Sequence, residues 1–445
     1  MRSSVILLPL LLLPLLTLAQ GQQGSGSPYS AYGFGDLLGN TQVARRSMGG
    51  LGIAYNDPFG VDPSNPASYS SLVRPVFEAG VAVRNAKVDG EAISGTGRRT
   101  DLLGLSLGVP FGHGRWGVAL GLAPYSRVGY RISTTAPLAS GEGDVAYTYT
   151  GTGGLNRVYG GVSKAFDGRR DSLGNGHRLA IGVNYTHLFG SLVETRQAVY
   201  PTDGYYHSNA QRSVYIHDGV LSLGAQFQGM LARHRSREVR GWRYTVAASM
   251  ELPADLTAER TEVVNSFVYS AIGTEIAFDT ALYVLDETGS IGLPAAVGVG
   301  LALQNDHWAF SAEHRSRTWS LLEENGVRRN DLADLSQLAF GASYRPAGDI
   351  GGSFWERTIY RAGIRYLNDY LVVDGQQLSQ IGMSFGMSLP VMGSSTRSRL
   401  NFGMELGERG ERSNGLLRER YADLFVGIAI TPDLREQWFK KRRIE

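Results

Sequence analysis

The sequence predicts an all-β fold: a transmembrane antiparallel β-barrel of about fourteen strands with an N-terminal plug, or hatch, segment. Three observations carry this expectation. Apolar residues recur with a period of two along many segments of about ten residues, the length a tilted membrane strand needs. After residues 1–19, no stretch is long and apolar enough for a membrane helix, which needs about 20 residues. The connections between the alternating segments are short and long by turns, as in bacterial barrels with short periplasmic turns and long outer loops.

In chain order, residues 1–19 read as a signal peptide. Arg2 supplies the positive end, Val5 to Leu18 the apolar run, and Thr17 and Ala19 suit cleavage before Gln20. Pro9 and Pro14 interrupt that run, and it is short for a membrane span. Residues 20–74 do not alternate; they are rich in Gly, Ser, Pro and Asn and carry Tyr29, Tyr32, Phe34, Tyr55, Phe59 and Tyr69. These aromatics, with Arg45 and Arg46, favour a compact plug over a loose periplasmic linker.

Residues 75–431 are expected to form the barrel. The strand spans are 75–84, 100–110, 115–125, 157–166, 178–189, 217–230, 242–252, 293–303, 307–319, 335–345, 358–367, 378–389, 399–407 and 421–431. The clearest of them sets Ile381, Met383, Phe385, Met387 and Leu389 against Gly382, Ser384, Gly386 and Ser388. One face suits lipid and the other a wet or plugged lumen. Long outer loops are expected at 126–156, 190–216 and 253–292. Trp116, Trp242, Trp308 and Trp355 fall near the starts of odd-numbered strands and Trp319 at the end of one, so girdles at both membrane rims are expected. Residues 432–445 form a periplasmic tail with Trp438 and a basic run, Lys440 to Arg443.

A plug needs charged partners on the wall. Arginine facing lipid at mid-membrane costs about 2–4 kcal/mol, so charged residues within strands should point inward. Glu313, Arg361, Arg365 and Glu405 are therefore expected to pair with a plug that contributes Arg45 and Arg46. Glu78, Arg315, Arg317 and Asp423 share the inward faces.

The hatch motifs Ser47-Met48-Gly49-Gly50, Ala54-Tyr55 and Asn65-Pro66-Ala67 resemble those of the FadL-type outer-membrane transporters of long-chain fatty acids and other hydrophobic compounds. The likeness continues through Leu293-Pro294, Gly298, Trp308 and Trp319, and through Tyr360 to Tyr366. It implies passive uptake of a small hydrophobic ligand through the outer membrane of a Gram-negative bacterium, by a monomeric barrel in contact with outer-membrane lipids. The hatch, with Tyr55, Phe59, Asn65, Pro66 and Ala67, would gate the path. Residues 253–292 are unusually apolar for an outer loop, and Phe267 and Phe278 there are candidates for a capture groove. Gly117, Gly121 and Gly129 in the third strand would permit a kink. The alternative is a FadL-like barrel that binds a periplasmic or secreted protein in a secretion or surface-attachment system.

Other chemistries are discounted. With 43 basic and 41 acidic residues, no nucleic-acid partner is indicated. The absence of cysteine excludes disulfides and thiolate metal sites, and no metal or cofactor motif is present. Gly382-Met383-Ser384-Phe385-Gly386 matches a nucleophile-elbow string, but it lies within an alternating strand where the elbow needs a strand-turn-helix. No enzymatic activity is expected. An ordinary water-filled porin would usually lack a folded hatch.

Overall fold

The computed structural model describes residues 26–432, apart from 40–41, 91–93, 139–140, 142, 170–175, 202–203, 233–240, 271, 349–351, 392–396 and 413–415. The expected signal peptide and most of the expected tail, including Trp438 and the basic run, lie outside the described residues. Among the described residues no helix is long and apolar enough to cross a membrane.

The chain forms a closed barrel of fourteen antiparallel strands, preceded by the N-terminal segment. The strands are β1 (Val76–Asp89), β2 (Ser94–Phe111), β3 (Trp116–Pro124 and Ser126–Pro137), β4 (Asp144–Asp167), β5 (Arg178–Val199), β6 (His207–Met230) and β7 (Arg243–Glu251 and Ala254–Tyr269). They continue as β8 (Glu275–Leu293 and Ala296–Gln304), β9 (Trp308–Arg317), β10 (Leu335–Tyr344), β11 (Ile359–Val373), β12 (Gln376–Pro390), β13 (Arg399–Arg409) and β14 (Arg418–Ile430). Closure is made by β1 against β14, in register from Phe77 opposite Ile430 to Asp89 opposite Arg418.

Alternation sets the two faces of the wall. On β12, Ile381, Met383, Phe385 and Met387 are exposed to the outside, while Gln380, Ser384 and Ser388 are buried within. Val297, Val299 and Leu301 continue the outer apolar belt on β8. A belt of this extent suits hydrocarbon and not water.

The barrel has a short-turn end, where β1 begins, and a far end. At the far end the strands behave unequally. β4 and β6 are 24 residues long, more than twice what a membrane requires. The stretches 126–156, 190–216 and 253–292, expected as loops, are largely strand: β3 to β8 continue past the membrane as one sheet. Pro253 and Pro294 lie at the points where β7 and β8 are interrupted, and on the far-end side of Pro294 β8 no longer pairs with β9.

The tryptophans divide. Trp308 and Trp355 are exposed at the short-turn end, and Trp116 opens β3 there. Trp319, expected in the outer girdle, is instead 1% exposed inside the lumen. The chain leaves β9 through a short helical turn, Trp319–Leu321, that folds the ring inward over Phe34 and Tyr370, at centroid distances of 5.6 and 4.7 Å.

Candidate functional site

The N-terminal segment occupies the lumen. It carries a 3-10 helix (Pro28–Ala31), a helical turn (Val43–Arg46) and a second 3-10 helix (Pro66–Ser71). Met48, Leu51, Ile53, Ala54 and Asn65 have no exposed surface. Each large apolar side chain buried this way contributes about 1.5–3 kcal/mol. Close approach to the wall requires glycine. A Cβ on Gly363 of β11 would lie 2.3 Å from the Met48 carbonyl carbon, and one on Gly224 of β6 would lie 2.0 Å from the Asn65 side-chain oxygen.

Asn65-Pro66-Ala67 forms the best-anchored part of this segment. The Asn65 Oδ1 accepts the Ala67 N–H at 3.0 Å and caps the helix, with Pro66 at its first position. Its Nδ2 donates to the carbonyls of Ile53 at 3.0 Å and of Ala248 on β7 at 3.2 Å. Tyr55 is buried, with the Arg45 guanidinium 4.5 Å above its ring. Phe59 lies toward the short-turn end, flanked by Arg397 and Arg399.

The charges form a connected system. Arg45 pairs with Asp62 inside the plug at 3.4 Å, and Arg361 reaches Asp57 of the plug at 3.7 Å. Glu313 accepts the backbone N–H groups of Gly52, Ile53 and Ala54 at 2.6 to 3.0 Å. Arg46 joins Asp423 of β14 at 2.8 Å, and Arg84 of β1 holds the same carboxylate at 2.8 Å. Arg365 and Glu405, expected to partner the plug, partner each other at 2.6 Å, with the Tyr421 hydroxyl donating to Glu405 at 2.9 Å. They stand on β11 and β13, on either side of β12, and meet over Gly382. Ser384, the serine of the elbow-like string, is buried and accepts the Gly49 N–H at 2.8 Å.

Beyond the plug lies a cavity of about 250 Å³. It is smaller than most ligand pockets, which run from about 300 to 1,000 Å³ and are mainly apolar. Arg84, Arg157, Arg315 and Arg365 line it together with Asp101 and Glu405. Toward the far end it is closed by an apolar layer in which Tyr29, Phe34, Trp319 and Tyr370 pack together. The lumen is thus blocked on one side by the hatch and on the other by this layer.

Among the described residues the wall has a defect between β2 and β3. β2 pairs with β3 only from Leu105 opposite Leu122 to Phe111 opposite Trp116. Beyond Tyr125, the Ser126–Pro137 part of β3 pairs with β4, and its other edge leaves β2. Gly117, Gly121 and Gly129 keep ordinary negative φ, whereas Gly104 of β2, where β2 leaves β3, has φ +128°. Pro124 ends the first part, and Gly154 on the facing strand, at φ +138°, lets β4 bend with it. Asp36 and Leu37 patch the defect by pairing with Arg127 and Ser126. The Asp36 carboxylate is held by Arg409 at 2.6 Å and by Arg99 of β2 at 3.4 Å.

Phe267 and Phe278, expected in one capture groove, are separated in exposure. Phe267 is buried beneath His207 and Tyr269, whereas Phe278 is exposed and stacks on Tyr206 at 4.3 Å. Among the described residues no cluster suited to holding a metal ion is present.

Fold and interior define a class: a barrel of the outer-membrane channel type, filled by its own N-terminal segment. Within that class the chain belongs to the BamG family, whose model matches residues 1–445. Among solved structures it is similar to the Pseudomonas putida toluene transporter TodX, at 15% identity and TM-score 0.53, over 90% of this chain and 100% of that one. It is similar also to a Pseudomonas aeruginosa FadL homologue, at 13% and 0.51 over 89% and 99%. The Ralstonia pickettii toluene transporter TbuX gives 14% and 0.50 over 89% and 98%. At these identities the likeness to FadL-type channels is one of fold. Among curated proteins no sequence matches.

Proposed function

We propose that this protein is an outer-membrane, FadL-like barrel that binds a protein partner as a component of an assembly machine, and that it does not serve mainly as an uptake channel. The observation that carries this reading is the closed, arginine- and carboxylate-lined lumen. An apolar solute gains free energy by leaving water for apolar surface. An interior in which Arg84, Arg157, Arg315 and Arg365 stand among Leu103 and Trp319 offers it only part of that gain. The family name has the form of the Bam components of the outer-membrane barrel-assembly machinery, which supports the same reading. On it, the short-turn end faces the periplasm, the far sheet stands outside the cell, and the protein works by contact, without a cofactor or a catalytic residue.

Passive uptake of a hydrophobic compound is the second reading. The patched defect between β2 and β3, and the fold shared with toluene transporters, favour it. Asn65, Pro66, Ala67, Tyr55 and Phe59 would then hold the hatch that moves, and Phe267 and Phe278 would belong to the capture surface.

Native mass spectrometry of the barrel, released from its own outer membrane in mild detergent, decides between them. The expected spectrum shows the chain in complex with a protein of the barrel-assembly machinery. A chain carrying only a small hydrophobic molecule would establish uptake instead.

A further inference from the structure

The sheet formed by β3 to β8 beyond the membrane ends in an unpaired edge. Residues 296–304 of β8 already span the membrane, so residues 275–290 stand beyond it. The paired strand confirms the setting: Glu259, Arg260 and Glu262 put charge on both of its faces, which lipid does not tolerate. One side of residues 275–293 is bonded to β7, and the other meets Glu323–Glu324 at Gly292 and Ile291 and Asn325 at Ser290. The backbone from 275 to 289 is thus left unpaired on that side among the described residues.

Edges are commonly blunted by short strands, bulges, charge, and above all lysine or proline; this one is long, with bulges and acids. Residues 275–290 contain neither lysine nor proline. Instead, Ile276, Phe278, Tyr283 and Leu285 are each more than half exposed, at 51, 63, 64 and 59%. Ile272, at the tip of the hairpin, is 88% exposed. An apolar ridge of this size in water marks an interaction site.

The charges select the partner. Glu275, Asp279, Asp286 and Glu287 lie in this stretch, with no lysine or arginine. Arg260 answers Glu287 at 2.9 Å; Glu275, Asp279 and Asp286 form no ion pair among the described residues. A second copy is a poor occupant. Self-pairing brings four more acidic residues and no base to the edge, and several antiparallel registers set Asp279 against Asp286 or Glu287, or Glu275 against Glu287; like charges directly opposite destabilise a sheet. Three register shifts along the pairing with β7 also bend this edge away from the straight form that identical strands share.

We infer that residues 275–289 are a docking edge for an extended segment of another protein, one in which apolar residues alternate with lysine or arginine, added as a strand to the exposed sheet. Backbone bonds supply affinity, and the acidic and apolar side chains supply selection. This deepens the partner-binding reading above and rests on it.

The test places the photoreactive residue p-benzoylphenylalanine at Phe278 or Tyr283 in the full chain, in its own membrane, with lipid-facing Leu338 as control. Heat-modifiable migration on gels verifies that each variant folds. The expected result is an adduct at both test positions that maps to one basic, extended segment of a single other protein. Asp279→Lys combined with Asp286→Lys should lower its yield at least tenfold. Adducts to a second copy, adducts to lipid or lipopolysaccharide alone, or no adduct at all would overturn the inference. If native mass spectrometry keeps an assembly protein bound while these adducts are missing, the edge is wrong and the functional reading stands.

Discussion

Glu313 sits at the middle of β9, 3% exposed, and its carboxylate gathers the three N–H groups of Gly52, Ile53 and Ala54. Each of those donors would otherwise be buried without an acceptor, at a cost of about 1–3 kcal/mol. Glu313→Ala should therefore loosen the hatch by about 3 kcal/mol, a hundredfold in local opening. Hydrogen exchange should quicken by that factor at residues 52–54 and stay unchanged along β12. Glu313→Gln, which keeps an acceptor in place, should show a much smaller effect. The inward direction of Glu313 follows from alternation alone. Its bonding to backbone amides does not, because nothing in a sequence reports the register between a plug and the wall around it. Ser384 makes the same point: its string imitates a nucleophile, and its place in the fold is an anchor for Gly49.

The spans within the membrane are legible because lipid on one side and lumen on the other force a period of two, as from Ile381 to Ser388. Past the membrane both faces of a strand are wet, and the pattern dissolves. Residues 254–269 mix Glu259, Arg260 and Val263 without alternation, so a strand there reads as a loop. Trp319 was illegible for a related reason: an amphipathic ring suits a membrane rim, and only the turn after β9 carries it into the lumen. The break in β3 was partly legible as a glycine-rich strand, but Pro124 and glycines on the neighbouring strands produce it. Its patch yields a prediction. The chain has no cysteine, so Leu37→Cys with Ser126→Cys creates a single possible crosslink between residues already opposite each other. On mild oxidation it should form in most molecules, read as faster migration on a non-reducing gel. Adding Asp36→Ala, which removes the group held by Arg409 and Arg99, should lower the yield several-fold. An unchanged yield would mean that backbone pairing alone holds the patch.

The hatch is joined to the barrel wall by buried ion pairs, Arg46 with Asp423 of β14 and Asp36 with Arg409 of β13 and Arg99 of β2. Breaking a buried pair by removing one partner costs about 3–5 kcal/mol, because the other charge is stranded. This makes the closed state sensitive to acid in a definite direction. Burial alone would raise the pKa of Asp57, but the guanidinium groups of Arg399, Arg361 and Arg45 outweigh it and hold the carboxyl below its ordinary value. Asp36 is depressed in the same way, with Arg409, Arg99 and Arg84 overcoming burial. A depressed acid contributes stability that is fully present above its unfolded value, near 3.9, and is lost as pH falls through the folded one. Asp62 has the opposite sign: burial raises it despite Arg45, so its contribution declines as pH rises. Asp36 and Asp57 thus hold the hatch at neutral pH. In planar bilayers the protein should conduct little from about pH 5 to 8 and more as pH drops below about 4. Asp57→Asn should leak already at pH 7 and respond less to acid. Conductance that is high at pH 7 in the unaltered chain would show that the lumen is open in solution and that the arginines line a path, not a seal.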